Sequence, residues 1–139
     1  QGVLVESLGT FCTVHKPLLL SEEEVLWVRR PIFKLGWQML WPGRLTSPKV
    51  TIPDDVTIEP LNYLLLSLVT SLPWRVAEDC VKETILLFSC HLENQHNVAF
   101  AFQDIGVLTH RRDRVCMLFY ASCIQRLEKR ASLLAALRS

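Results

Sequence analysis

Alternation and helical spacing divide the chain into elements. Residues 3–5 are a short β-branched run, and after a turn residues 9–14 continue the extended pattern. Residues 25–28 resume it beyond a polar connector that contains Ser21-Glu22-Glu23-Glu24. Pro31 suits the first turn of a helix, where its missing N–H does no harm. Phe33, Gly36, Trp37 and Leu40 share one helical face and Pro42-Gly43 stops the run, so a helix is predicted over 31–40. Residues 44–53 hold two prolines and no period. Residues 61–72 then read as an apolar helix closed by Pro73. Over 74–93, Val76, Ala77, Cys80, Val81, Ile85, Phe88 and Leu92 draw one helical stripe, with Glu78, Asp79, Lys82 and Glu83 off it. Val98, Phe100 and Phe102 alternate with alanines, the mark of a half-buried strand. Residues 106–109 and 115–119 form a hairpin around a short turn at 110–114. A last helix starts at Ser122 as N-cap. Its apolar residues Ile124, Leu127, Ala131 and Leu134 form a seam that packs on its own domain or opens a coiled coil.

Composition narrows the class. The 139 residues are 50% hydrophobic and 21% charged, which suits one compact domain or two very small ones and excludes a disordered tail. The longest uncharged stretch, 60–74, falls short of the roughly 20 residues a membrane span needs, so a soluble protein is expected. The first residue is Gln, no basic region precedes an apolar run, and the opening residues already read as strand. The chain is therefore expected to be a fragment without a signal peptide. Its net charge of +1 argues against an obligate nucleic-acid binder. That near-neutral total hides a dipole. There are six basic and four acidic residues up to Pro53, two and eight from Asp54 to Thr109, and seven and two thereafter.

Candidate chemistry is sparse. Cys12, Cys80, Cys90, Cys116 and Cys123 are odd in number, lack CxxC spacing and sit in apolar patterns, as small hydrophobes of a reducing compartment do. Cys90, His91 and His96 could supply three zinc ligands, but no fourth has suitable spacing. A Cys90–His91 dyad is disfavoured because helix neighbours point apart. The five glycines are isolated, so no phosphate loop is present, and the four tryptophans fall at apolar positions that suit core or interface. No metal, cofactor or catalytic residue is expected, and the chain is read as no enzyme.

One internal period stands out. Placing Gly9 over Gly106 aligns Val3-Leu4-Val5-Glu6-Ser7-Leu8-Gly9-Thr10-Phe11 with residues 100–108, an apolar residue preceding the glycine in both copies. With Arg30-Pro31-Ile32-Phe33-Lys34, the Gly9-Thr10-Phe11 turn resembles the HU/IHF superfamily. Adding Pro60-Leu61-Asn62, Cys80-Val81-Lys82-Glu83-Thr84 and Ile105-Gly106-Val107-Leu108, the chain resembles the tandem eukaryotic HU domains of the coiled-coil domain-containing protein 81 family. The resemblance implies an α+β, HU/IHF-like fold of helical hairpin, three-stranded antiparallel sheet and C-terminal helix. A partial first copy would occupy residues 1–43, a linker 44–55 and a complete second copy 56–139. Gly9, Thr10, Phe11 and Gly106 are its turn motif, and two such units are expected to interlock around a shared core.

Bacterial relatives grip DNA with two long basic β-arms tipped by proline. Here the first arm position, residues 15–24, reads as short, apolar and acidic, and the second shrinks to residues 110–114. What remains is a candidate interaction patch of Arg111, Arg112 and Arg114, extended by Arg126, Lys129 and Arg130. The resemblance implies a non-catalytic protein-interaction scaffold of the cytoplasm, linked to the centrosome or cytoskeleton. Its partner would be a protein, with pairing between HU units or a homodimer open. Nucleic-acid binding through the basic hairpin and last helix is the alternative.

Overall fold

In a computed structural model of the chain, the described residues are 1–40 and 43–138, the side chains of 130–136 and 138 excepted. Trp41, the Arg130 side chain and the outer seam side chains Ala131 and Leu134 therefore lie outside the described residues. The architecture is α+β, with two sheets and two helices of useful length. Strands β1 (Gly2–Val5), β2 (Gly9–Leu19) and β3 (Val25–Leu35) form an antiparallel ribbon, and α1 (Trp37–Leu40) follows. Strand β4 (Ile58–Pro60) pairs parallel with β1, giving the order β3-β2-β1-β4. Helices α2 (Tyr63–Thr70) and α3 (Trp74–Glu93) precede a second sheet of β5 (Val98–Phe102), β6 (Gly106–Arg111) and β7 (Arg114–Phe119). Helix α4 (Ala121–Arg138) closes the chain.

Local chemistry explains the boundaries. Asn62 caps α2, its side-chain oxygen accepting the Leu65 N–H at 3.1 Å, and Ser71 ends it at φ 60°. Arg112 and Asp113 have φ of 53° and 59°, so two residues suffice to turn β6 into β7 with the twist a hairpin needs. Helix α4 starts at Ala121 rather than behind a Ser122 cap.

The helix expected over 31–40 is a correction. Residues Pro31 to Leu35 continue β3, and only Trp37–Leu40 is helical. Phe33 decides it. In the strand its ring lies 4.7 Å from that of Phe11, and the ladder runs unbroken from Gly9↔Leu35 to Leu19↔Val25. Pro31 is tolerated because β3 is an edge strand, whose outer side demands no N–H. The consequence is a hairpin twice as long as the pattern suggested.

Two turns are built alike. Leu8 N–H donates to Val5 O at 3.0 Å, and Ile105 N–H donates to Phe102 O at 3.0 Å. Ser7 and Asp104 both take positive φ, 69° and 63°. Gly36 N–H donates to Leu8 O at 2.8 Å, as Tyr120 N–H donates to Ile105 O at 2.9 Å. One core serves both: Leu8, Phe33, Leu35 and Met39 pack in the same cluster as Ile85, Phe88, Leu92, Leu108 and Val115. A run of neighbouring rings, Phe33–Phe11–Phe102–Phe100–Phe88, carries that core from the first sheet through the second to α3, with centroids 4.7 to 6.1 Å apart. Such tilted pairs add to the burial of large apolar area. Helix α4 lies along β3, tied by an ion pair from Arg30 to Glu128. That packing answers the seam question for its inner residues, since Ile124 and Leu127 are half-buried.

Not every apolar position is covered. Of the predicted stripe, Ala77, Ile85, Phe88 and Leu92 are buried while Val76 and Cys80 are exposed. Cys12 is buried, but Cys90 is exposed as well, so two of the five thiols depart from the expected role. Trp27, Trp37 and Trp74 are 62%, 72% and 42% exposed, so of the core or interface placement expected for them the core half does not hold.

Candidate functional site

The long hairpin is the most prominent surface feature. Beyond His15↔Arg29 it continues through Lys16↔Val28, Pro17↔Trp27, Leu18↔Leu26 and Leu19↔Val25, a two-stranded arm about 15 Å long. Neither β1 nor α1 accompanies it there, so Pro17 faces solvent with its N-less side and costs no ladder bond. Ser21 shapes the tip: its Oγ accepts from Glu24 N–H at 3.1 Å, and Leu20 N–H donates to Glu24 O at 3.0 Å. That tight loop projects Glu22, Glu23 and Glu24 outward. Leu19, Leu20 and Trp27 remain exposed. An arm is therefore present, which corrects the short connector read from the sequence. Its outer half is apolar and its tip acidic, whereas its guanidiniums sit at the base, Arg29 donating to Thr13 Oγ1 and Arg30 paired with Glu128.

The basic patch divides in two. Arg111, Arg112 and Arg114 are exposed around the β6–β7 turn. Asp113 sits among them, with its Oδ1 3.7 Å from Arg44 Nε. Arg44 also donates to Leu92 O at 2.6 Å. Thr46 N–H donates to Asp113 O, and Val115 N–H donates to Thr46 O, both at 2.8 Å. These bonds stitch the aperiodic segment to the turn and bring a fourth guanidinium, Arg44, to the patch. No spacing in the sequence signalled it. Arg126 instead donates to Asp104 O at the opposite end of β6, about 17 Å away along the strand. Lys129 is exposed one helical turn further on, and the Arg130 side chain is outside the described residues.

The turn-motif residues are structural. A Cβ on Gly9 would stand 2.3 Å from Lys34 O, and one on Gly106 would stand 2.4 Å from Leu118 O, so both strands approach too closely for any side chain. Thr10 pairs with Lys34, and the Phe11 ring joins the two sheets.

Between those sheets and α3 lies an apolar cavity of about 560 Å³, walled by Val3, Val5, Phe11, Val81, Ile85 and Phe102 among others. Its polar lining is Cys80 and Thr84, and the Thr84 hydroxyl is spent on Cys80 O at 2.7 Å. Beside it, the outer face of α2 is unpartnered among the described residues: Leu64, Leu65, Leu68 and Val69 are all exposed. Tyr63 and Lys82 line a separate, more polar hollow with Glu6, Ser7 and Ser89. Contact with Glu78 holds the Lys82 ammonium above its ordinary pKa, and burial, with Glu78 secondary, does the same for the Tyr63 phenol. Both groups keep their protons at neutral pH.

His110 is the one buried polar side chain among the described residues. Its Nδ1 donates to His96 O at 2.6 Å, while Nε2 has no hydrogen-bond partner and lies 3.9 Å from Asp113 Oδ1. Cys90 does not join the histidines, and among the described residues no group of three His, Cys, Asp or Glu is arranged for a metal ion.

A family model described as CCDC81 eukaryotic HU domain 2 matches residues 57–131, more than half of the chain. The chain belongs to the CCDC81 family of eukaryotic HU domains. The CCDC81 match starts at the edge of β4, takes in α2, α3 and the whole second sheet, and ends within α4. The family resemblance carried by Cys80 to Thr84 and by Ile105 to Leu108 is thereby correct. Among the described residues no helix is long and apolar enough to cross a membrane.

Proposed function

We propose that this chain is a non-catalytic protein-interaction module in which two HU-like units are fused into one body. Supporting the repeat are the matched turns, the two glycines held against facing carbonyls, and the aromatic run that threads both sheets. On that reading Gly9 to Leu35 corresponds to Gly106 to Phe119 with twice the chain, the excess being the arm. The first copy runs over 1–43, and the second, over 56–139, supplies the helical hairpin.

The observation that carries the partner class is the chemistry of the arm. A phosphate-gripping arm gains affinity from each cation that displaces a counterion. Here the outer strands present leucines and Trp27, and the tip presents three carboxylates, which a duplex repels and a protein surface with apolar and basic groups accepts. The module is a cytoplasmic scaffold of the centrosome or cytoskeleton, and it takes no cofactor. Titration with duplex DNA at about 150 mM salt should show no saturable binding. Saturable binding that weakens steeply with salt would overturn the reading. It would favour nucleic-acid recognition through Arg111, Arg112 and Arg114, whose exposure at one turn is the observation behind that second reading. Imaging of the tagged protein tests the location, and a diffuse or nuclear distribution would refute it.

A further inference from the structure

Helix α3 ends in a closure that pairs two histidines. Gln95 takes φ 59°, its N–H donates to Leu92 O at 3.1 Å, and His96 N–H donates to His91 O at 3.0 Å. These two bonds are the six-to-one and five-to-two pattern that stacks the residue past the turn over the third-last helical residue. Apolar side chains usually fill that contact. Here Nδ1 of His91 stands 3.0 Å from Nδ1 of His96, and the His96 ring is exposed.

The pair is held, not merely adjacent. His91 sits on the last turn of a long helix. His96 is bonded at both ends of its backbone, through its N–H to His91 O and through its carbonyl to His110 Nδ1. A carbonyl only accepts, so His110 carries its proton on Nδ1 and serves as an anchor for the loop.

We infer that His91 and His96 form a two-imidazole site for a late first-row divalent ion, the class of Ni²⁺, Cu²⁺ and Zn²⁺. With metal–nitrogen bonds of about 2.0–2.1 Å, a 3.0 Å separation subtends about 95° at the ion. That angle lies nearest two neighbouring positions of a tetragonal shell, the arrangement Ni²⁺ and Cu²⁺ prefer. Imidazole is a ligand of matching softness, and the negative end of the α3 dipole adds attraction for a cation. Without a third His, Cys, Asp or Glu among the described residues, water completes the shell, so the ion exchanges instead of holding the fold together. The sequence argued against this site only because it sought four protein ligands.

Titration calorimetry of the untagged full chain with NiCl₂ tests the site, nickel being the probe because it does not oxidise the exposed thiols. The wild type and His15→Ala should bind one Ni²⁺, while His91→Ala and His96→Ala should each weaken binding roughly tenfold or more. In the wild-type protein, substoichiometric Ni²⁺ should broaden the ring resonances of His91 and His96 before those of His15 and His110. The NMR arm needs no variant, so a misfolded substitution cannot obscure the outcome. No saturable binding, equal affinity in all four proteins, or first broadening elsewhere would show a hydrogen-bonded histidine pair only, and the site would be withdrawn.

Discussion

Gly106 pairs with Phe119 across β6 and β7 so closely that no side chain is admitted, a Cβ there falling 2.4 Å from the Leu118 carbonyl oxygen. Gly9 pairs with Leu35 in the same way, a Cβ on it falling 2.3 Å from the Lys34 carbonyl oxygen. Neither obstacle is a flexible side-chain end; each is strand backbone, so an added methyl must pry the ladder apart. Gly9→Ala and Gly106→Ala should each cost about 2–3 kcal/mol, read as a fall in the urea midpoint. A midpoint within error of wild type for either would show that the two turns are not under the same constraint.

The arm projects past every buried residue of the first sheet. Val14 and Phe33 lie inward of it, and from Pro17 to Trp27 no side chain is buried. Replacing residues 17–27 by Asn-Gly would join Lys16 to Val28 through a two-residue turn of matching twist. The shortened protein should keep the circular dichroism and denaturation midpoint of the parent, and bind less of a hydrophobic dye, losing the share that Leu19, Leu20 and Trp27 attract while the α2 face keeps its own. Loss of the folded state would mean that the arm contributes to the core.

Much of the second half was legible in the sequence because its signals are local. The stripe from Ala77 to Leu92 has a helical period, Val98 to Phe102 alternates, and Pro73 separates two helices. The first half was misread where a local signal met a longer-range one. Pro31 resembles a helix start, but the facing ring of Phe11 and eleven ladder pairs outweigh it. Strand β4 was invisible, since Ile58-Glu59-Pro60 acquires its pattern only from β1. The patch was half legible: charge runs show in sequence, but whether Arg126 reaches Arg111 depends on which end of β6 the helix passes. The histidine contact needed the left-handed Gln95, a conformation its side chain does not announce.

Burial and exposure along the helical hairpin make opposite predictions for two large apolar residues. Phe88 is 4% exposed, in the aromatic run against Phe100, so Phe88→Ala should cost about 3–4 kcal/mol. Leu68 is 80% exposed on the open face of α2, and Leu68→Ser should stay within about 0.5 kcal/mol of wild type. Chemical denaturation measures both. A large loss for Leu68→Ser at dilute concentration would reveal that the α2 face is covered in solution.

Thiol reactivity offers a last check on the packing of β2. Cys12 is buried beside Gly2 of β1, and burial pushes its thiol above the ordinary 9.0. The thiolate is the reactive form, so both a smaller thiolate fraction and blocked access slow its alkylation. With iodoacetamide at pH 8, exposed Cys80 and Cys90 should label first and Cys12 last, the difference disappearing in urea. The same shift has a sign in stability. A folded value above the unfolded one means that the contribution of Cys12 is complete below 9.0 and is lost as pH rises through the folded value. Cys12→Ala should therefore show a shallower alkaline fall in denaturation midpoint than wild type. If Cys12 is labelled as fast as Cys90 in the folded protein, β1 does not seal this edge of the core.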